Sequence, residues 1–175
     1  MSKKQNLLER AGQYRIFFVI ACTVFILDQL SKIWISHYSG LTQGVYPPYG
    51  GINVIPGIFD IVYAVNTGAA WGIFAGKGTS LIFMAVLVLG LLFYFRKHLE
   101  FSRKRYQMCF AMLVGGIIGN AYDRIIYGHV IDFLDFHIGN YRWPTFNIAD
   151  CGIVVGAIIY VVVSTISEKK QKKQP

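Results

Sequence analysis

GGIIGNAYDRIIYGHVIDFLDFHIGNYRWPTFNIAD, residues 115–150, holds four of the chain's nine acidic residues: Asp123, Asp132, Asp135 and Asp150. Asn120, Arg124, His129 and Asn147 lie among them. The flanks, 115–118 and 151–163, are membrane-like runs without charge. A carboxylate at the edge of an apolar span is expensive to keep there, so it opens as a functional-site candidate. An ion pair that fixes helix packing is the competing reading, and for Asp123 beside Arg124 the two stand level. Asp132 and Asp150 have no cation next to them in sequence, which favours a chemical role.

Working outward, the 175 residues suggest one domain, 1–175. Hydrophobic residues make up 54% and charged ones 15%, well under the ~25% usual for soluble domains. Long uncharged runs make this an integral membrane protein. The net charge of +8 does not imply nucleic acid, because thirteen of the seventeen Lys and Arg fall into three clusters between apolar runs. Cys22, Cys109 and Cys151 sit in apolar runs without metal-like spacing and read as packing residues.

Four spans are expected, at about 16–36, 79–95, 106–126 and 146–166. The start resembles a signal peptide, but the apolar stretch before Cys22 covers only 16–21, so an uncleaved first span is expected. Asp28 and Lys32 stand four apart on one helix face, acid first, as a favourable pair does. Between the first two spans, 37–65 is rich in Gly, Pro, Tyr and β-branched residues. That composition predicts turns and a small extracytoplasmic sheet lying on the membrane, within a segment of about 40–75. Trp71 suits the interface. The basic clusters place both termini in the cytoplasm. The predicted class is an all-α membrane protein of four helices, with its β element between helices 1 and 2.

This topology gathers Asp28, Lys32, Asn120, Asp123, Arg124, Asp132, Asn147 and Asp150 at the extracytoplasmic end of the bundle. Scattered structural residues would not need to share a depth. GxSxG and HExxH are absent, and Ser and Cys lack an evident base. His129 and His137 lack helical metal spacing and read as solvated loop residues, so no metal is assigned. Two carboxylates remain. If Asp132 and Asp150 approach, repulsion keeps one protonated, and the pair titrates as a unit. Such a pair can deprotonate a water for attack on a peptide carbonyl and protonate the leaving amine. Asn120 and Asn147 are placed to donate orienting hydrogen bonds, and Arg124 to hold Asp123.

These residues resemble a known family, lipoprotein signal peptidase (signal peptidase II), aspartyl proteases of the bacterial membrane. DQLSK at 28–32, NTGAAW at 66–71, GNAYDR at 119–124, GHVIDF at 128–133 and FNIAD at 146–150 resemble its motifs in order. Trp71 stands where Phe is usual. The resemblance implies Asp132 and Asp150 as the catalytic pair. It implies Asp28, Lys32, Asn66, Gly116, Asn120, Arg124 and Asn147 as substrate-binding or supporting positions. Asp123 matches a supporting ion-pair position; Asp135 matches no motif and reads as surface. The implied substrate is a prolipoprotein, cut before a cysteine that carries a diacylglyceryl group. Membrane lipids and cyclic-peptide antibiotics of the globomycin type are the other implied partners. No metal or organic cofactor is implied, and the implied location is the bacterial inner membrane. A small proton-coupled transporter and a non-catalytic membrane scaffold are the alternatives.

Overall fold

A computed structural model describes residues 12, 14–69, 73–139 and 141–171. Trp71 lies outside the described residues, as do Lys3, Lys4, Arg10 and the end of the basic tail. The described residues form four helices and four strands: α1 (Arg15–Ile33), β1 (Ile52–Ile55), β2 (Phe59–Asn66), α2 (Gly78–Tyr94), α3 (Lys104–Tyr127), β3 (Val130–Ile138), β4 (Tyr141–Arg142) and α4 (Ile148–Gln171). A wide helical turn, Trp34–Tyr38, extends α1.

Among the described residues, three helices are long and apolar enough to cross a membrane: Arg15–Tyr38, Lys104–Tyr127 and Ile148–Ser167. Helix α2 is apolar throughout but has 17 residues, about 25 Å at 1.5 Å per residue. Burial is inverted relative to a soluble protein. Phe18, Leu30, Phe83, Leu87, Ile125 and Val161 point outward, while Asp28, Lys32, Gln107, Asp123 and Asn147 are buried. With lipid outside, apolar side chains lose nothing by facing out, and polar ones must find partners inside.

Glycines let α3 lie close against α1 and α4. A Cβ on Gly115 would stand 2.7 Å from the Ala21 carbonyl oxygen, and one on Gly156 equally close to that of Cys109. Such small-residue contacts bring backbones together where no hydrophobic effect drives helix association. Helix α3 stops at Gly128, whose left-handed φ of +76° lets its N–H bond the Arg124 carbonyl at 3.2 Å.

The sheet is antiparallel, in the order β1-β2-β3-β4. Its extent corrects the prediction of an all-α chain with β structure only between helices 1 and 2, because β3 and β4 come between α3 and α4. Strand β3 pairs with β2 in a register that sets Asp132 opposite Ala64 and Asp135 opposite Asp60. Phe146 folds back onto β3, accepting the N–H groups of Phe133 and Leu134 at 3.0 and 2.9 Å. Helix α4 therefore starts against the strand that carries Asp132. Beneath the sheet, Ile35, Ile131 and Phe133 form a small apolar core.

Candidate active site

The start of α4 is built like a capping box. The Asn147 Oδ1 accepts the Asp150 N–H at 3.0 Å, and the Asp150 carboxylate accepts the Asn147 N–H at 3.3 Å. This reciprocal arrangement satisfies helix N–H groups that have no partner within the helix. It also fixes the Asp150 side chain. The free end of Asn147 turns to β3 and donates to Asp132 Oδ1 at 2.7 Å. Asn147, fully buried, thus ties both aspartates to one amide.

Each carboxylate has a second amide partner. Asn66, at the end of β2, donates to Asp132 Oδ2 at 2.9 Å. Asn120, on α3, donates to Asp150 Oδ1 at 2.7 Å. The two Asn side chains at the centre also meet, since Asn147 donates to Asn120 Oδ1 at 3.1 Å. Burial first, and the charge of Asp150 second, push the Asp132 carboxyl up from its ordinary value to about 7. A carboxyl titrating near neutrality is suited to taking and giving a proton.

Behind the aspartates lies a charged brace. Lys32 Nζ stands 2.7 Å from both Asp28 and Asp123, all three side chains at 3% exposure or less. It also donates to Asn120 Oδ1 at 3.1 Å. Gln29, within the DQLSK stretch but given no role by the sequence, donates to Asp123 at 2.8 Å. Asp123 is paired with Lys32, which corrects the expectation that Arg124 holds it. Arg124 instead donates to two backbone carbonyls, those of Asn120 at 3.1 Å and Gly68 at 2.7 Å. Asn66 closes the same loop by accepting the Gly68 N–H at 2.9 Å.

A cavity of about 560 Å³ opens onto this cluster. Asn66, Asn120, Arg124, Asp132 and Asp150 form its polar end. Trp143, Phe146, Val154 and Val155 form an apolar wall. The space can take an extended peptide backbone at the carboxylates and apolar chains along the wall.

Gly116, expected among the substrate-binding or supporting positions, contributes no polar contact to the cavity; it is where α3 meets α4, and a Cβ there would run into the Ala149 backbone. Two other expectations fail. Asp135 is not a surface residue: it is fully buried on β3, with Arg142 2.9 Å away. His137 is not a solvated loop residue either, but lies on β3 with Nε2 2.8 Å from Asp60.

A family model described as "Signal peptidase (SPase) II" matches residues 20–166. The lipoprotein signal peptidase of Ralstonia nicotianae is 39% identical over 145 residues, covering 78% of this chain and 76% of its own. That of Syntrophus aciditrophicus is 35% identical over 162 residues, covering 90% and 96%. A solved structure described as a bacterial membrane enzyme superposes with a TM-score of 0.77 at 32% identity, covering 91% of this chain and 92% of that one. With motif order, fold and sequence agreeing over the greater part of its length, the chain belongs to the signal peptidase II family of aspartyl membrane proteases.

Proposed function

We propose that this protein removes signal peptides from diacylglyceryl-modified prolipoproteins, cutting before the lipidated cysteine, with Asp132 and Asp150 as its catalytic pair. One observation carries the assignment of the pair: the single buried amide of Asn147 holds an oxygen of Asp132 while its backbone holds one of Asp150. Both carboxylates face one cavity and are held by donors on separate elements. Preorganised donors of this kind reduce the reorganisation needed at the moment of reaction.

The pair carries one proton between its two members at neutral pH. A water between them gives a proton to the ionised carboxylate as its oxygen attacks the scissile carbonyl. The protonated carboxyl hydrogen-bonds the carbonyl oxygen as charge grows there. Collapse of the tetrahedral intermediate breaks the C–N bond, and a proton from the pair goes to the departing amine of the cysteine. The products are a signal peptide with a new carboxylate and a lipidated cysteine with a free amino group. Asn66 and Asn147 hold Asp132, while Asn120 holds Asp150. Arg124 sets the 66–69 backbone beside the substrate.

In this reading α2 is the second of four spans, both termini are cytoplasmic, and the site faces outward from the inner membrane. Acyl chains of the lipidated cysteine would run along Trp143, Phe146, Val154 and Val155. Globomycin-type cyclic peptides would compete for the same space. The test is cleavage of a diacylglyceryl prolipoprotein by the purified protein, beside Asp132→Asn and Asp150→Asn. Each variant is expected to insert and fold while losing more than about 10³-fold in rate. Turnover at the wild-type rate in either one overturns the assignment.

A further inference from the structure

Outside the cavity, the sheet holds a second polar cluster for which the proteolytic reading has no use. Asp60 on β2 and Asp135 on β3 are direct cross-strand partners. His137 lies two residues beyond Asp135 on the same strand face. One carboxylate oxygen from each aspartate and one ring nitrogen of His137 lie within 4.8 Å of one another. Both carboxylates are essentially inaccessible, at 1% and 0% exposure. The His137 side chain, 17% exposed, is the way in.

Two like charges set opposite one another in a sheet are destabilising unless something lies between them. Asn53 donates to Asp60 Oδ1 at 2.7 Å, and His137 reaches its Oδ2. Asp135 is different. Among the described residues neither of its oxygens receives a well-aligned hydrogen bond. Arg142 approaches only Oδ2, from a side chain 41% exposed that also stacks on Tyr46 at 4.6 Å. Oδ1 of Asp135 is thus a buried acceptor without a donor, on the face shared with Asp60 and His137.

We propose that Asp60, Asp135 and His137 are the protein ligands of a divalent metal site, with Zn²⁺ the ion they fit. One imidazole and two carboxylates form a nitrogen–oxygen set of the kind Zn²⁺ accepts, with water completing a tetrahedron. Tetrahedral bonds of about 2.0–2.2 Å set ligand atoms roughly 3.3 Å apart, so modest side-chain rotations close the triangle. Two carboxylates balance the ion's charge, and Arg142 is free to keep its contact with Tyr46. Asn53 then acts as an outer partner that orients the Asp60 carboxylate. Bound metal would join β2 to β3, three residues from Asp132 on one strand and six from Asn66 on the other. Its role is to brace the sheet, not to enter the hydrolysis.

The experiment uses untagged full-length protein in detergent, stripped with chelator and titrated with Zn²⁺ in a calorimeter. Co²⁺ serves as the spectroscopic probe. Wild type is expected to bind one ion and show the visible band of tetrahedral Co²⁺. Its unfolding midpoint should rise by about 4 °C or more at free Zn²⁺ of roughly 100 Kd. His137→Gln, which can still donate to Asp60, and Asp135→Asn should each weaken binding more than about tenfold. His129→Ala should leave binding unchanged. His137→Gln should retain prolipoprotein cleavage within about twofold in the metal-free state, since it lies outside the catalytic cavity. Absence of saturable binding in wild type overturns the proposal, and so does binding that survives undiminished in His137→Gln. Neither result bears on the Asp132–Asp150 assignment, which activity of the metal-free enzyme reads separately.

Discussion

The carboxylate of Asp28, on α1, accepts the backbone N–H of Ala149 at 2.9 Å, in the first turn of α4. Its other oxygen takes Lys32 at 2.7 Å. One side chain therefore caps the last helix from the first, one residue before Asp150. Capping from another helix fixes where α4 begins, and with it the position of the Asp150 carboxylate. Asp28→Ala would orphan that N–H and break a buried ion pair, a loss of roughly 3–5 kcal/mol. Cleavage should fall by about 10²-fold, because a displaced helix start misplaces a reacting group. Asp28→Asn, which keeps an acceptor for Ala149, should retain more stability than Asp28→Ala. Thermal unfolding in detergent and initial rates read both effects. A wild-type midpoint in Asp28→Ala would remove this role.

Asp132 gives a pH dependence of definite sign. Its folded pKa, raised to about 7 from 3.8, means the folded state binds its proton more tightly than the unfolded chain. The folded protein is therefore penalised progressively as pH rises from about 4 to about 7, and fully above that. Asp132→Asn removes the charge, so its unfolding midpoint should exceed that of wild type at pH 8 and approach it near pH 4. The expected gap at pH 8 corresponds to roughly 2–4 kcal/mol. Activity should show a limb near neutrality that belongs to the coupled pair, not to one residue. A wild-type pH–stability curve parallel to that of Asp132→Asn would contradict the raised value.

What the sequence made legible was local. Asp28 and Lys32 pair because a spacing of four puts them on one helical face. Strand β3 was harder, since its pairing with β2 spans some 66 residues and no local pattern specifies that register. Asp135 looked like surface because its burial comes entirely from that register, with Asp60 across from it. Gln29 escaped notice for the same reason: its partner, Asp123, lies 94 positions away. Arg124 stands next to Asp123 in sequence, but on a helix adjacent residues diverge, and its guanidinium reaches the Gly68 carbonyl instead.

Arg124 makes a prediction that separates charge from shape. Its two carbonyl contacts fasten the 66–69 loop to α3, and Asn66 in that loop holds Asp132. Lys keeps the charge but cannot make both contacts from a planar fork. Arg124→Lys should therefore raise KM and lower kcat together, by about tenfold each in order of magnitude. Amide exchange at Gly68 and Ala69 should quicken in the same variant. A full recovery of kcat/KM by Lys would mean that the positive charge alone matters.

Gly116 supplies the sharpest steric prediction. A Cβ at this position would collide with the Ala149 carbonyl oxygen and stand 2.8 Å from Ile153 Cγ1 and 3.1 Å from the Ala149 carbonyl carbon. The obstacle is mainly backbone, so no side-chain rotation relieves it. Gly116→Ala must instead part α3 from α4, at a cost of about 1–3 kcal/mol for overpacking. The shift falls on Ala149, which Asp28 caps, and on Asp150 beside it, so activity should drop more steeply than stability alone would require. Gly90→Ala is the control, because a Cβ there meets nothing within 4 Å and should stabilise α2 slightly. Unfolding midpoints of the two variants, with cleavage rates measured well below both, distinguish loss of fold from displacement of the site. Equal midpoints and equal rates for Gly116→Ala and wild type would show that α3 and α4 are less tightly opposed than their backbones indicate.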